Sequence, residues 1–465
     1  MRNSLSDSPL PALCLSVCAL AIAASAQPAP AAGMTVAQAV EQALRNYPAI
    51  RVTQEQVNAA AAGIRLAQTA YLPRVDAMAQ VNRATRNTFF GLLLPQSVIP
   101  SVGAVPSDNF GSVWDSGVGV LVSWQPFDLG LRAANVAAAA ATRARADAEA
   151  ARPRYDVSVA TADAFLTALA AGQTTEAAQA SVERWQALLR TIHALTVAEL
   201  RPAADESRLE AELALAQIQV AQAAQAVGVA RATLAQFLGV APPQVNLASG
   251  RLLAEMPADA PEPTLETAAN PLAVEQKAAV AQAQSQLTAL SRTYAPQFSV
   301  QGLAAARGTG LLTNGSRLGG LNGLLPNVQN YAIGFTVTFG AMDKFALNER
   351  EAIESANIRA GQAQSQLIDA TLEARFNTAL ATFDGAKRIA ANTPVAVSSA
   401  RIALNQATAR YQAGLAPIDD VAQAQRLLVQ AQIDDSLARL SVWRARLEVA
   451  TARGDIQPFL AEASR

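Results

Sequence analysis

Tyr331-Ala332-Ile333-Gly334-Phe335-Thr336-Val337-Thr338-Phe339-Gly340, followed at once by a run from Asp343 to Ala413 with Pro394 as its interruption, decides the fold of this chain. The first part alternates aromatic and β-branched residues with Ala, Gly and Thr, the period of two that marks a strand with one apolar face. The second part is too long for any compact domain. A matching run extends from Leu129 to Ala198, broken only at Pro153 and Gly172. As one continuous helix it would reach about 105 Å at 1.5 Å per residue, and Pro153 marks either a kink or a junction between two pieces.

Three further segments carry the strand period. Val75, Ala77, Ala79 and Val81 alternate with Asp76, Met78, Gln80 and Asn82, and Val118, Val120, Val122 and Trp124 alternate with Gly117, Gly119, Leu121 and Ser123. Phe298 and Val300 alternate with Gln297, Ser299 and Gln301. Residues 87–111 and 303–330, rich in Gly, Pro, Asn, Leu and Ser, are expected to be exposed loops between paired strands. The alternation fits a barrel strand with a lipid side and a lumen side. It equally fits a soluble antiparallel sheet with one buried face.

Heptads separate the helices from an ordinary bundle. Leu209, Ala216, Ala223, Ala230 and Phe237 recur every seven residues, beside a second track of Leu213, Val220, Val227 and Leu234. In the last long helix Ala424, Ala431, Ala438, Ala445 and Ala452 form one track, and Ile433, Leu440 and Leu447 another about 200° around the axis. A helix with seams on nearly opposite sides has a neighbour on each side, as in a cylindrical wall.

The chain also repeats itself. Tyr47-Pro48 and Tyr71-Leu72-Pro73 return as Asn270-Pro271 and Tyr294-Ala295-Pro296 at an offset of 223, while Phe127-Asp128, Pro202, Asp205 and Gly239 return as Met342-Asp343, Pro417, Asp420 and Gly454 at 215. An insertion between Pro73 and Asp128 accounts for the difference. The expected division is a signal peptide at 1–26, a first repeat at 27–250 (helix, two strands, long helix, returning helix), a linker at 251–263 and a second repeat at 264–465.

Composition agrees with export and argues against several functions. Arg2, the apolar stretch from Leu10 to Ala23 and Ala24-Ser25-Ala26 read as a cleavable secretory signal. Both cysteines, Cys14 and Cys18, lie inside it, so the mature chain would have none for disulfides, zinc or nucleophilic chemistry, and neither follows the small residue that lipidation prefers. Beyond it there is no run of 18 apolar residues, so a membrane would be crossed by strands. With a net charge of −1 no basic stripe awaits nucleic acid. His193 has no Cys or second His as companion, and the Gly-rich stretch from Gly302 to Gly323 contains no lysine to serve a phosphate. Neither a catalytic, a cofactor nor a dedicated metal site is expected, and the chain reads as no enzyme.

With Trp124-Gln125-Pro126-Phe127-Asp128-Leu129-Gly130 and Tyr411-Gln412-Ala413-Gly414-Leu415-Ala416-Pro417-Ile418-Asp419-Asp420-Val421 added to the two Pro-marked helix starts and the two Tyr-x-Pro turns, the chain resembles the TolC-like outer membrane efflux protein family over essentially its whole mature length. The resemblance implies an α+β membrane protein: a long α-helical coiled-coil barrel plus a transmembrane β-barrel, four strands per protomer, in a homotrimer with two internal structural repeats. It implies an exit duct of a tripartite efflux or type I secretion system, in the outer membrane of a Gram-negative bacterium and extending into the periplasm. Such a duct is a passive conduit, opened by a periplasmic adaptor (membrane fusion protein) and an inner-membrane pump, with outer-membrane lipid around it. Val118, Val120, Phe335 and Val337 would face that lipid.

The family's periplasmic tip falls near Glu199 to Asp205 and Gly414 to Asp420. By resemblance, Asp420 matches an aspartate whose threefold copies ring the narrow aperture, where converging carboxylates favour cations. Asp419, Asp205 and Glu199 lie beside it. A second ring position aligns with Gln423, a latch arginine aligns with Ala416, and Tyr411 keeps the latch tyrosine. Glu199 stands where a glycine is usual. The rival reading is a periplasmic or surface trimeric coiled-coil stalk with a small β head, which would bury Val118, Val120, Phe335 and Val337 in protein.

Overall fold

A computed structural model describes residues 33–85, 112–257, 264–310, 312 and 316–464. The expected signal segment, the expected loop at 87–111 and residues 258–263 of the expected linker lie outside the described residues.

The chain opens with α1 (Val36–Asn46), started by a capping box in which the Thr35 hydroxyl accepts from the Gln38 N–H and the Gln38 amide oxygen accepts from the Thr35 N–H. α2 (Pro48–Gln68) follows with proline at its first position, where no N–H is needed. β1 (Arg74–Thr85) and β2 (Ser112–Trp124) lead into α3 (Leu131–Val197), which returns as α4 (Ala203–Leu238). A single turn, α5 (Arg251–Ala254), occupies the start of the expected linker. α6 (Pro271–Arg292) begins at Asn270, whose side chain accepts from the Leu272 N–H. Then come β3 (Gln297–Thr309), β4 (Val328–Thr338), α7 (Asp343–Gln412), α8 (Ile418–Arg453) and the short α9 (Gln457–Ala463).

The long runs are single helices of 67 and 70 residues, with Pro153 and Pro394 inside them. A mid-helix proline removes one hydrogen bond and costs about 3 kcal/mol. At Pro394 the carbonyl that loses its partner is that of Ala390; the nearby Thr393 hydroxyl, 3.2 Å from it, donates instead to Asp435 Oδ1 of α8 at 2.6 Å. Packing along the full length of the partner helices outweighs the penalty.

The expected loop at 303–330 is shorter than the sequence suggested. β3 runs on to Thr309, because Leu303, Ala304, Ala305 and Ala306 pair with Leu121 to Val118 on one side and with Ala332 to Gln329 on the other. Small residues without alternation gave no local strand signal there; the ladders on both sides impose it.

Both heptad seams of α8 are occupied. Ala424, Ala431, Ala438, Ala445 and Ala452 are all buried, with Ala438 and Ala445 against Ala386 and Ala390 of α7. Leu440 and Leu447 join the largest core cluster with Phe165, Leu166 and Leu169 of α3. That cluster, midway along the helices, also gathers α1, α4, α5 and α9 around Trp443, whose indole N–H donates to the Glu255 carbonyl at 2.9 Å. On α4 the Leu209, Ala216, Ala223 and Ala230 track is buried, while Leu213, Val220 and Val227 stay half-buried. α4 also has an 18-residue window of mean hydropathy 1.3, sufficient by length and composition for a membrane span, which a search for unbroken apolar runs misses. Its glutamines, Gln217, Gln219, Gln222 and Gln225, and its antiparallel packing on α3 fit a wall helix better.

Candidate functional site: an apolar sheet face and a tied helical tip

The four strands form one antiparallel sheet in the order β1-β2-β3-β4. Paired residues in an antiparallel sheet share a face, so the register can be read across it. Ala77 pairs with Val120, Val120 with Ala304 and Ala304 with Tyr331; Trp124 pairs with Val300 and Val300 with Phe335. All the apolar tracks therefore fall on one face. Among the described residues no other element covers its middle: Tyr331 is 87%, Ile333 83%, Phe335 62%, Val337 50%, Val118 47% and Val120 42% exposed. The opposite face carries Arg74, Asp76, Gln80, Ser123, Ser299, Gln301, Thr336 and Thr338. An uncovered apolar face of this extent is costly in water, whereas hydrocarbon suits it. The stalk reading, which needs Val118, Val120, Phe335 and Val337 buried in protein, is not favoured.

The junction below the sheet is rigid. Asp128 accepts from the Gly130 and Arg132 N–H groups, and its carboxylate pairs with the Arg132 guanidinium at 2.9 Å. Burial alone would raise the Asp128 pKa, but the hydrogen bonds and charge of Arg132 hold it below the usual value. Arg132 also donates to the carbonyls of Ala70 and Pro126 and lies 4.7 Å over the Tyr71 ring. The Trp-Gln-Pro-Phe-Asp-Leu-Gly stretch is thus a strand-to-helix hinge held by one ion pair.

At the far end two helical hairpins turn by the same pattern. The Leu200 N–H donates to Leu195 O and that of Leu415 to Arg410 O, the six-to-one bond of a helix C-terminal motif that needs a left-handed residue. Gly414 supplies it at φ 76°, and Glu199 supplies it at φ 54°. A glutamate there bears the strain that a glycine avoids.

The tip residues divide into two groups. Tyr411, Asp205 and Asp419 are engaged between the hairpins of one protomer. The Tyr411 hydroxyl donates to Asp205 Oδ2 at 2.9 Å, and Arg208 pairs with Asp419 at 2.5 Å. Burial, then the bond to and charge of Asp205, push the Tyr411 hydroxyl up to about 12, with Arg201 pulling the other way. Asp420 and Glu199 are exposed and have no side-chain partner among the described residues.

Two residues absent from the expected site complete the tie. Arg201 donates to Tyr411 O at 2.5 Å and stacks 4.4 Å above its ring, and Arg208 is the cation on Asp419. Arg201 stands 215 residues before Ala416, so the repeat spacing held the signal: the arginine sits in the first hairpin instead of the second. His193 joins its Nδ1 to Glu206 Oε1 at 2.6 Å across the first hairpin.

An exposed apolar sheet on long paired helices defines an architecture: a sheet suited to hydrocarbon with a long helical extension. Residues 39–240 match the outer membrane efflux protein family. No curated protein sequence is a significant match. Among solved structures the chain is similar to the CmeC outer membrane channel of Campylobacter jejuni, at TM-score 0.70 and 16% identity over 92% of this chain and 89% of that one. VceC of Vibrio cholerae gives TM-score 0.69 and 17% identity over 90% and 96%. The MtrE channel of Neisseria gonorrhoeae in its open state gives 0.70 and 17% over 90% and 89%. At such identities the likeness is one of fold. The sequence match to the outer membrane efflux protein family is carried by the first half of the chain.

Proposed function

We propose that this chain is one protomer of a homotrimeric exit duct whose periplasmic tip is closed at rest. Channels of this family work with a periplasmic adaptor and an inner-membrane pump. The observation that carries the reading is the four-stranded sheet itself: among the described residues its apolar face lies bare, and β1 and β4 each leave one edge without a ladder partner. Open edges invite pairing with another chain, and four strands fall short of the roughly eight a closed barrel needs. Three copies bring twelve. Val118, Val120, Phe335 and Val337 then face lipid, and α4, half-buried in the protomer, finds its second neighbour in the next one.

The matching turns at 198–202 and 413–417 support the division into two repeats, 27–250 and 264–465, joined at 251–263. Asp420, unpartnered and in the first turn of α8, is the carboxylate available to line the aperture. Asp419 is neutralised by Arg208. Tyr411, Asp205, Gly414 and Glu199 shape and hold the hairpins around it.

The experiment is conductance in planar bilayers for the wild type and Asp420→Ala, with and without millimolar multivalent cations. Small cation-selective currents that such ions block, with block and selectivity weakened in the variant, are expected. A protein that never conducts would overturn the duct. One that conducts identically with Asp420→Ala would overturn the aperture assignment alone.

A further inference from the structure

The Gly-rich connection between β3 and β4, residues 310–327, has no part in the account so far. It contains six leucines in eighteen residues and one charge, Arg317. A loop that merely links strands in water has no need of that composition.

Its glycines are explained by where it lies. A Cβ on Gly308 would meet Leu325 O at 2.2 Å, Ser116 Oγ at 2.7 Å and Gly323 O at 2.8 Å. Gly323, at φ 92°, touches the backbone of Trp114 and Gly310 so closely that a Cβ would sit 2.2 Å from Trp114 O. Gly308 pairs with Ser116, and Ser116 shares its face with Val118 and Val120, two and four residues on. The connection therefore folds back over β3 towards β2 on the apolar face. It seals Ser116 to 3% exposure. Its own bonds pin it: the Leu318 N–H donates to Gly310 O at 2.9 Å, and the Asn322 side-chain amide donates to Gly319 O at 2.9 Å.

With its backbone against the strands, the connection turns its exposed side chains away from the sheet. Leu312, Leu318, Leu321 and Leu325 are 48%, 43%, 70% and 79% exposed. Their depth follows from β2. Ten residues separate Trp124 from Trp114, about 33 Å along the strand, or about 25 Å along the membrane normal at a usual barrel tilt, which is the height of the apolar band. Trp114 marks the outer interface, and the connection stacks on the stretch from Trp114 to Ser116. Arg83, 5.3 Å over the Trp114 ring on the same face, lies where lipid headgroups begin.

We infer that residues 316–327, together with Leu312, form a lipid-contacting collar, clamped on the outward face of the sheet and setting Leu312, Leu318, Leu321 and Leu325 into the acyl boundary of the outer leaflet. The inference rests on the duct reading, which places that face in lipid.

The test attaches a nitroxide to Leu321→Cys, Leu325→Cys, Phe335→Cys and Ala198→Cys, one at a time, in the full chain with Cys14→Ala and Cys18→Ala. In proteoliposomes, relaxation by oxygen, which partitions into lipid, is compared with relaxation by a water-soluble nickel chelate. At 321 and 325 the oxygen-to-nickel ratio should match that at 335 and exceed that at 198 several-fold. Water-like values at 321 and 325 beside a lipid-like 335 would overturn the collar and leave the duct standing. So would shielding from both reagents, the mark of a protein contact. A water-like value at 335 would overturn the duct reading and the collar with it.

Discussion

Replacing Arg201 by alanine should open the tip. The Arg201 guanidinium donates to the Tyr411 carbonyl and lies over its ring, and both contacts cross from the first hairpin to the second. A hydrogen bond from a charged donor contributes about 1.5–3 kcal/mol, and an exposed cation–π contact about 0.5–1 kcal/mol. Arg201 is half-exposed, so solvent screening places the sum near the low end, about 2 kcal/mol. If the hairpins part when the duct opens, that amount shifts the closed-to-open ratio by roughly 30-fold. Tyr411→Phe keeps the ring and the carbonyl and loses only the bond to Asp205, about 1 kcal/mol, or roughly 5-fold. The Tyr411 hydroxyl has its pKa raised on folding, so its contribution is complete below the ordinary tyrosine value near 10 and fades as pH climbs towards about 12. Single-channel open probability at pH 7 should thus rank Arg201→Ala above Tyr411→Phe above wild type, with the Tyr411 effect constant from pH 6 to 9. Equal open probabilities in the three proteins would refute the argument that these contacts hold the tip shut.

Three further outcomes follow from the same geometry. Glu199→Gly should raise thermal stability by about 1 kcal/mol, because it removes a side chain from a left-handed position, and Gly414→Ala should lower it by a similar amount; calorimetry of the two variants checks both. Asp128→Asn should destabilise the protein at neutral pH and converge with wild type in acid: the depressed carboxyl contributes above its unfolded value and loses its effect as pH falls through the folded one, which denaturation at stepped pH reads. Phe335→Arg should cost about 2–4 kcal/mol of membrane insertion if residue 335 lies near the bilayer midplane, seen as a loss of folded protein in vesicles, while Thr336→Arg on the opposite face should insert far better.

Most of the architecture was legible because it rests on periods. The tracks on Tyr331 to Phe339 and on Ala424 to Ala452 name the faces that the structure exposes or buries, and no competing force intervenes along such long elements. Non-local pairing was less visible. β3 continues through Leu303 to Thr309 because two ladders hold it, and no alternation announces that. α7 survives Pro394 because α8 packs along it and Thr393 donates across to Asp435, a non-local support that a rule about proline does not anticipate. At the tip, Tyr411 and Asp205 were identified by position, but their bond to each other and the arginine over the ring depend on how two hairpins meet. The arginine that does lie over the Tyr411 ring stands 215 residues before Ala416.

The ties made by Arg201, Asp205 and Arg208 to Tyr411 and Asp419 run from one hairpin of a protomer to the other hairpin of the same protomer. In a threefold duct that makes three latches with no shared member, each releasing on its own schedule. Full opening then requires three coincident events, and its probability varies as the cube of the chance for one latch. Intermediate apertures, with one or two latches free, become states in their own right. A partner that engages all three positions at once gains the steepness that the duct alone lacks.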